Sequence, residues 1–164
     1  MNTQYSVGLH RTSPRWLLFL AVAVVFLVAS GHPVNSSVEK EKRVREFVAA
    51  FNARNIDGML ALVDEDVQWL SINGPKVTIE TEGKTALGES MRRYFKSCPS
   101  CKSSLEWVQI AGSRVTAMER ARWSGKTGAK SQSGLSVYEF SGDKILRVYY
   151  FPADVESRSN RNSP

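Results

Sequence analysis

Histidine is almost missing from this sequence of 164 residues. The chain has only His10 and His32, and both precede the region whose patterns predict a folded domain. No imidazole is therefore available further along for a Ser/His/Asp or Cys/His catalytic site, or for a His-rich zinc site. Cysteine is scarce as well, since two residues cannot hold a fold together or complete a four-ligand zinc knuckle. We expect no metal site and no cofactor.

The overall composition lacks any extreme. Hydrophobic residues make up 42%, aromatic residues 10% and charged residues 23%, which excludes wholesale disorder, collagen and disulfide-dense miniproteins and predicts one hydrophobic core. The net charge is +6, from 22 Lys and Arg against 16 Asp and Glu. Bases and acids alternate along the predicted first helix, which is typical of a solvated face. We therefore expect no nucleic-acid partner.

The first 31 residues have the layout of a signal peptide. Arg11 and Arg15 precede an unbroken apolar run, Trp16 to Ala29, and Ala29-Ser30-Gly31 supplies small residues for cleavage before His32. The run is shorter than the roughly 20 residues that span a bilayer. The sequence predicts a secreted or periplasmic protein. The alternative is an uncleaved anchor that holds the domain on the outer face of a membrane, the one case in which we expect a membrane partner.

Residues 32–152 form the predicted domain, and residues 153–164 are polar enough to predict a disordered tail. A helix capped by Ser36 or Ser37 is expected to run to Arg54 and to bury one apolar face. Its apolar positions are Val44, Phe47, Val48 and Phe51. The turn Asn55 to Gly58 caps a short helix with Met59, Leu60, Leu62 and Val63, and a third helix covers Lys84 to Lys96. Alternation and Gly-containing turns predict strands over 66–72, 77–81, 104–111, 114–124, 134–140 and 144–151, with the sequential neighbours antiparallel.

Two segments resemble the nuclear transport factor two-like superfamily, with SnoaL-like proteins and ketosteroid isomerases as the nearest branches. They are EFVAAFNARNIDGMLALVDED from Glu46 to Asp66, followed by Val67-Gln68-Trp69, and the pair Val137 to Phe140 and Gly142 to Ile145. The resemblance covers Val38 to Ala153. It implies an α+β fold of cystatin-like type, in which a curved antiparallel sheet forms a cone with three helices from the N-terminal half. It also implies a cone interior that binds a small apolar molecule, and a homodimer.

The isomerase chemistry of that family does not carry over. Those enzymes use a tyrosine on the first helix, an aspartate base near the end of the first strand and a protonated aspartic acid on the penultimate strand. The matching positions here are Phe47, Ser71 and Ser136. Phe47 has no hydroxyl, and Ser71 cannot act as a base without a partner. The sequence therefore argues against steroid isomerisation without excluding other reactions.

Glu119 is the best candidate for a catalytic residue. In the strand that begins at Arg114, the odd positions are apolar apart from Glu119. If that face lines the cone, the carboxylate lies in an apolar cleft and is suited to general acid–base work. The alternatives are that Glu119 pairs with a buried Arg or a Tyr hydroxyl, or that a bulge turns it outward.

Strand parity extends the predicted ligand pocket beyond Glu119. Trp69, Tyr94 and Trp123 are candidate walls because aromatic rings give a large apolar area with a polar tip. Taken one at a time, each of these rings is better explained by packing in the core. The complete set of expected pocket residues is Phe47, Trp69, Ser71, Tyr94, Glu119, Trp123 and Ser136.

Cys98 and Cys101 form a CxxC pair. Redox pairs of this spacing lie at the N-terminus of a helix after a strand, whereas this pair follows a predicted helix and precedes a strand. In an oxidising compartment we expect a local disulfide that closes this turn.

Two classes of function remain. The first is a binding or dimeric accessory domain, which needs no particular catalytic group and is the one we favour. The second is a small lyase, cyclase or isomerase with Glu119 as acid–base residue. A second polar group converging on Glu119 would favour the enzyme, whereas a dry apolar cavity or a filled core would favour binding or scaffolding.

Overall fold

The computed structural model describes residues 33–126 and 128–152, which lie in one compact unit. Three helices and six strands follow each other along the chain. The helices are α1 (Pro33–Asn52), α2 (Ile56–Ala61) and α3 (Lys84–Ser97). The strands are β1 (Val63–Asn73), β2 (Lys76–Glu82), β3 (Lys102–Ala111), β4 (Arg114–Gly125), β5 (Gly128–Ser141) and β6 (Lys144–Pro152). The predicted signal peptide and C-terminal tail lie outside the described residues.

The six strands form one curved, unclosed sheet in the order β2-β1-β6-β5-β4-β3. The expected α+β class is confirmed, and the sequential pairs β1–β2, β3–β4, β4–β5 and β5–β6 are antiparallel. One pair of strands that are not sequential neighbours, β1 and β6, runs parallel. Short turns force neighbouring strands to be antiparallel, but β1 and β6 are separated by most of the domain and are free of that constraint.

The core lies between the concave face of the sheet and the helices. The apolar stripe of α1 is buried as its helical spacing predicts, with Val44 and Phe47 almost inaccessible. From the sheet, the core takes inward-facing residues of four strands: Val63, Val67, Val115, Ala117, Tyr138, Phe140, Ile145 and Val148. Each such side chain contributes roughly 1.5–3 kcal/mol when fully buried, so this face fixes which side of the sheet the helices cover.

The helix boundaries differ from the predicted ones at α1 and α2. The first helix begins at Pro33 rather than after Ser36 or Ser37, which is compatible with proline because the first helical N–H needs no partner. It ends at Asn52, before Arg54, whose φ of 60° breaks the helix. Asn55 caps α2 by accepting a hydrogen bond from the Gly58 amide at 2.9 Å, as predicted.

Two strands begin three or more residues earlier than the sequence predicts. Val63, expected at the end of the second helix, is the first residue of β1. β5 begins at Gly128 instead of Gly134 and pairs with β4 over its whole length. The intervening residues, AKSQS, lack an alternating apolar pattern, so their strand depends on the neighbouring strand and not on local periodicity. Within the described ranges, no helix is long and apolar enough to cross a membrane.

Candidate functional site

A cavity of about 450 Å³ opens between the concave face of the sheet and helices α1 and α3. Its walls are mainly apolar and aromatic, with a few hydroxyls and two carboxylates. The lining residues are Phe47, Val48, Phe51, Trp69, Glu80, Thr81, Leu87, Ser90, Met91, Tyr94, Cys98, Cys101, Ser103, Glu119, Ala121, Trp123, Gln132, Tyr138 and Tyr150. An apolar cleft of this size with a few convergent polar groups is typical of a small-molecule site.

Glu119 faces this cavity from β4. The β4–β5 register is continuous from Arg114 to Gly125, so no bulge disturbs the alternation that points Glu119 inward. Both carboxylate oxygens accept hydrogen bonds: Oε1 from the Tyr138 hydroxyl and Oε2 from the Ser103 hydroxyl at 3.0 Å. Glu119 therefore faces the cavity and also pairs with a tyrosine hydroxyl. Pairing with a tyrosine hydroxyl was the alternative to a catalytic role, and here it occurs together with the inward position.

Tyr138 is the polar partner that the sequence analysis did not single out. Its Cα opposes Val115, two inward positions away from Glu119, so its side chain extends along the sheet to reach the carboxylate. The pKa of the Tyr138 hydroxyl is raised well above its usual value by burial, and further by the negative charge of Glu119. The hydroxyl therefore stays protonated and remains a hydrogen-bond donor.

Tyr150 brings a further hydroxyl into the cavity from β6. Its ring packs directly over Gly134, where an added Cβ would lie 2.6 Å from the Tyr150 hydroxyl oxygen. Gly134 is also the register partner of Glu119. Burial raises the pKa of the Tyr150 hydroxyl, and the charge of Glu119 raises it further. The glycine thus makes room for an aromatic ring beside the carboxylate.

A β-bulge places a second carboxylate on the lining. Trp69 pairs with Thr81 and Leu70 pairs with Ile79, so Glu80 is the extra residue of β2. Bulges redirect side chains, and here the consecutive residues Glu80 and Thr81 both line the cavity. Glu80 is exposed, whereas Thr81 is buried. Sequence alternation alone gives no signal for this arrangement.

Five of the seven expected pocket residues line the cavity. Phe47 and Trp69 are in contact, with ring centroids 6.2 Å apart, and Tyr94, Glu119 and Trp123 are the other three. Ser71 and Ser136 are not among the residues of this lining.

The two serines miss the cavity for different reasons. Ser71 lies closer to the turn between β1 and β2, beyond Trp69. Ser136 is only 1% exposed. It lies between Tyr138 and Gly134 on the inward face of β5, so the Tyr138 side chain passes over it on the way to Glu119.

The predicted disulfide between Cys98 and Cys101 is present, with 5.4 Å between the two Cα atoms, and both cysteines line the cavity. Arg54 holds this loop in place. Its guanidinium donates hydrogen bonds to the carbonyls of Pro99 and Cys101, both at 2.7 Å, and lies 4.4 Å from the ring centroid of Phe95. One wall of the cavity is therefore fixed by a covalent bond and by a cation bound to backbone carbonyls.

The described lining contains no Lys, Arg or His side chain, although the chain as a whole is basic. Among residues 33–126 and 128–152, no group of three or more His, Cys, Asp and Glu side chains is placed to hold a metal ion. The chemistry that this lining can offer is hydrogen bonding, general acid–base transfer at Glu119 and contact with aromatic rings.

The sequence profile of the SnoaL-like domain matches residues 44–148, and the chain therefore belongs to the SnoaL-like domain family. This confirms the resemblance to the nuclear transport factor two-like superfamily. Among curated protein sequences, none matches the chain.

Several solved structures share the fold. An uncharacterised cystatin-fold protein from Novosphingobium aromaticivorans matches with a TM-score of 0.60 and 21% identity, covering 68% of this chain and 96% of that chain. A protein from Kribbella flavida provisionally named a ketosteroid isomerase matches with a TM-score of 0.61 and 15% identity, covering 79% of this chain and 85% of that chain. TerC, crystallised with polyporic acid, matches with a TM-score of 0.59 and 15% identity, covering 70% of this chain and 92% of that chain. At these identities the likeness establishes the fold alone.

Proposed function

We propose that this chain is an exported SnoaL-like protein that binds a small, largely apolar molecule in the cavity between its sheet and helices. The observation that carries the proposal is the lining itself, in which aromatic rings occur together with a carboxylate held by Tyr138 and Ser103. Such a lining buries an apolar body and orients it through a few polar groups. The relative crystallised with polyporic acid is consistent with a small-molecule role for this fold.

Export is the second part of the proposal. It is supported by the signal-peptide layout of residues 1–31 and by the Cys98–Cys101 disulfide, because disulfides persist in oxidising compartments. The alternative of an uncleaved anchor facing outward predicts the same compartment and differs only in the N-terminus of the final protein.

Native mass spectrometry of the full chain, expressed in an exporting host and purified gently, tests both parts. A retained small molecule would appear as added mass that is lost on denaturation. The denatured mass would show whether the chain begins at His32, and a gain of about two daltons on reduction would report the disulfide. A chain that keeps residues 1–31 would contradict cleavage. A ligand-free chain that also fails to bind small apolar molecules would contradict the binding role.

A small lyase, cyclase or isomerase is the second candidate function. Tyr138 and Ser103 converge on the Glu119 carboxylate beside an open cavity, and such convergence of polar groups is also a feature of enzyme active sites. The carboxylate can accept a proton, and the protonated Tyr138 can donate a hydrogen bond to developing negative charge. Incubation of the retained molecule with the wild-type chain and with Glu119→Gln tests this, because a product formed only by the wild type would establish catalysis.

We also propose that two copies associate through the outer face of the sheet. Cross-strand pairing aligns an apolar row across four strands on this face, made by Trp107, Met118, Leu135 and Phe151. Trp107 is 46% exposed, which is unusual for so large an apolar residue. Sedimentation equilibrium should report a dimer for the wild type and a monomer for Trp107→Arg. A monomeric wild type would refute this association.

A further inference from the structure

The charges on the cavity wall are all of one sign. Glu119 and Glu80 supply two carboxylates, and the described lining supplies no base. Two other acidic residues on this sheet are paired: Glu139 lies 2.8 Å from Arg114, and Glu106 lies 2.5 Å from Arg120. Within the described part of the chain, Glu119 has no Lys, Arg or His nitrogen within 4.0 Å, so its charge is not neutralised by an ion pair.

The two hydroxyl groups that contact Glu119 do not saturate it. An ionised carboxylate has about four acceptor positions, and Tyr138 and Ser103 fill one on each oxygen. Both groups donate, and each carboxylate oxygen keeps acceptor capacity for a donor group in the cavity. The charge of Glu119 also raises the pKa of Tyr150, after burial, which shows that its field extends beyond its immediate partners.

Aromatic rings line the same cavity as this carboxylate. Their faces carry partial negative charge and attract cations, most strongly for tryptophan. Seven aromatic residues line the cavity: Phe47, Phe51, Trp69, Tyr94, Trp123, Tyr138 and Tyr150. Such rings accommodate an apolar body equally well, so one cavity offers both an apolar surface and a site for a positive charge.

We propose that the cavity selects ligands in which a protonated amine is attached to an apolar body, with Glu119 as the counter-charge. The inference rests on the proposed binding function and adds the class of ligand to it. Neutral analogues keep the apolar contacts but lose the ion pair. Anionic analogues place a negative charge beside Glu119 and Glu80, and they bind least well.

Three probes of one shape test this inference on the wild-type, full-length chain. Naphthylmethylamine is cationic, naphthalenemethanol is neutral and naphthoate is anionic at neutral pH, and each affinity is measured by isothermal titration calorimetry. We expect the amine to bind about tenfold more tightly than the alcohol, as one charge-assisted, cation–π contact predicts. The acid should bind more weakly than the alcohol.

Two variants assign the preference to Glu119. In Glu119→Gln the amine should lose its advantage and bind like the alcohol, whose affinity stays the same. Glu89→Gln is the matched control, because it removes the same charge from an exposed position on α3 outside the lining. It should retain the tenfold preference.

The wild-type comparison decides the inference even if Glu119→Gln fails to fold. An alcohol that binds as tightly as the amine would overturn the amine preference and leave the binding function intact. No binding by any of the three probes would overturn the binding function, and the inference with it.

Discussion

The Tyr138 hydroxyl donates a hydrogen bond to the Glu119 carboxylate across two neighbouring strands. The donor is fully buried and its raised pKa keeps it protonated, while the acceptor faces the cavity. One bond therefore links the hydrophobic core to the polar part of the candidate site. Most of the consequences that can be tested follow from this link and from the residues beside it.

Removal of the Tyr138 hydroxyl should lower the stability of the fold and, at the same time, remove a hydrogen-bond donor from the candidate site. In Tyr138→Phe the ring still packs against Phe47, from which its centroid lies 6.4 Å away, but one carboxylate oxygen of Glu119 loses its donor. Hydrogen bonds to charged groups contribute about 1.5–3 kcal/mol. We expect a loss of that size in the free energy of unfolding, measured with urea. Ser103→Ala should lower the free energy of unfolding by less, because Ser103 is less buried. Equal stability of Tyr138→Phe and wild type would mean that the hydrogen bond contributes nothing.

Gly134 is needed for the position of Tyr150. A methyl group at this position would lie within 2.8 Å of two ring atoms and the hydroxyl oxygen of Tyr150, so Gly134→Ala must displace the ring. Overpacking of this kind costs roughly 1–3 kcal/mol, and the displaced ring should also weaken ligand binding. Gly134→Ala/Tyr150→Ala removes the clash and should recover part of the stability. If the double variant is no more stable than Gly134→Ala, steric overlap is not the cause.

The sequence allowed the inward position of Glu119 to be predicted, because alternation along β4 needs only local information. Its partner was not predictable in the same way. Tyr138 reaches Glu119 only because the β4–β5 register sets it opposite Val115 and because its side chain extends over Ser136. Register depends on pairing between distant segments, and one shift reverses the facing of every side chain.

Bulges and long-range pairings explain the remaining differences. Glu80 reaches the cavity through a bulge in β2, and β1 lies parallel to β6 because no short turn joins them. Neither feature leaves a periodic pattern in the sequence. The disulfide and the Asn55 cap, in contrast, depend on residues only three positions apart, and both were predicted correctly.

Arg54 should be irreplaceable by lysine. Its planar guanidinium contacts three backbone carbonyls of the disulfide loop and stacks on Phe95, a combination that an ammonium group cannot reproduce. Arg54 also has a φ of 60°, and Arg54→Lys retains any cost of that backbone conformation, so the variant isolates the guanidinium contacts. We expect a loss of about 1.5–3 kcal/mol in urea unfolding. Unchanged stability would show that the disulfide alone holds the loop.

Glu139 should make the stability of the fold dependent on pH below the usual carboxyl range. Burial alone would raise the pKa of this carboxyl, but hydrogen bonds from Arg147, Tyr149 and Arg114 outweigh burial and lower the pKa below 4.5. A carboxyl with a lowered pKa in the folded state stabilises the protein above its unfolded-state pKa. That contribution disappears as the pH falls through the folded-state pKa.

Urea unfolding of Glu139→Gln at neutral pH and at about pH 3 tests this dependence. At neutral pH the variant should be less stable than wild type by about 1 kcal/mol, since two of the partners, Arg114 and Arg147, are partly exposed. The difference should shrink as the pH falls through the folded-state pKa of Glu139, because the wild-type carboxyl then becomes protonated as well. Glu89→Gln, which removes an exposed pair with Arg93, should change stability by no more than a few tenths of a kcal/mol at neutral pH. A difference for Glu139→Gln that persists undiminished in acid would mean that packing, and not charge, explains its effect.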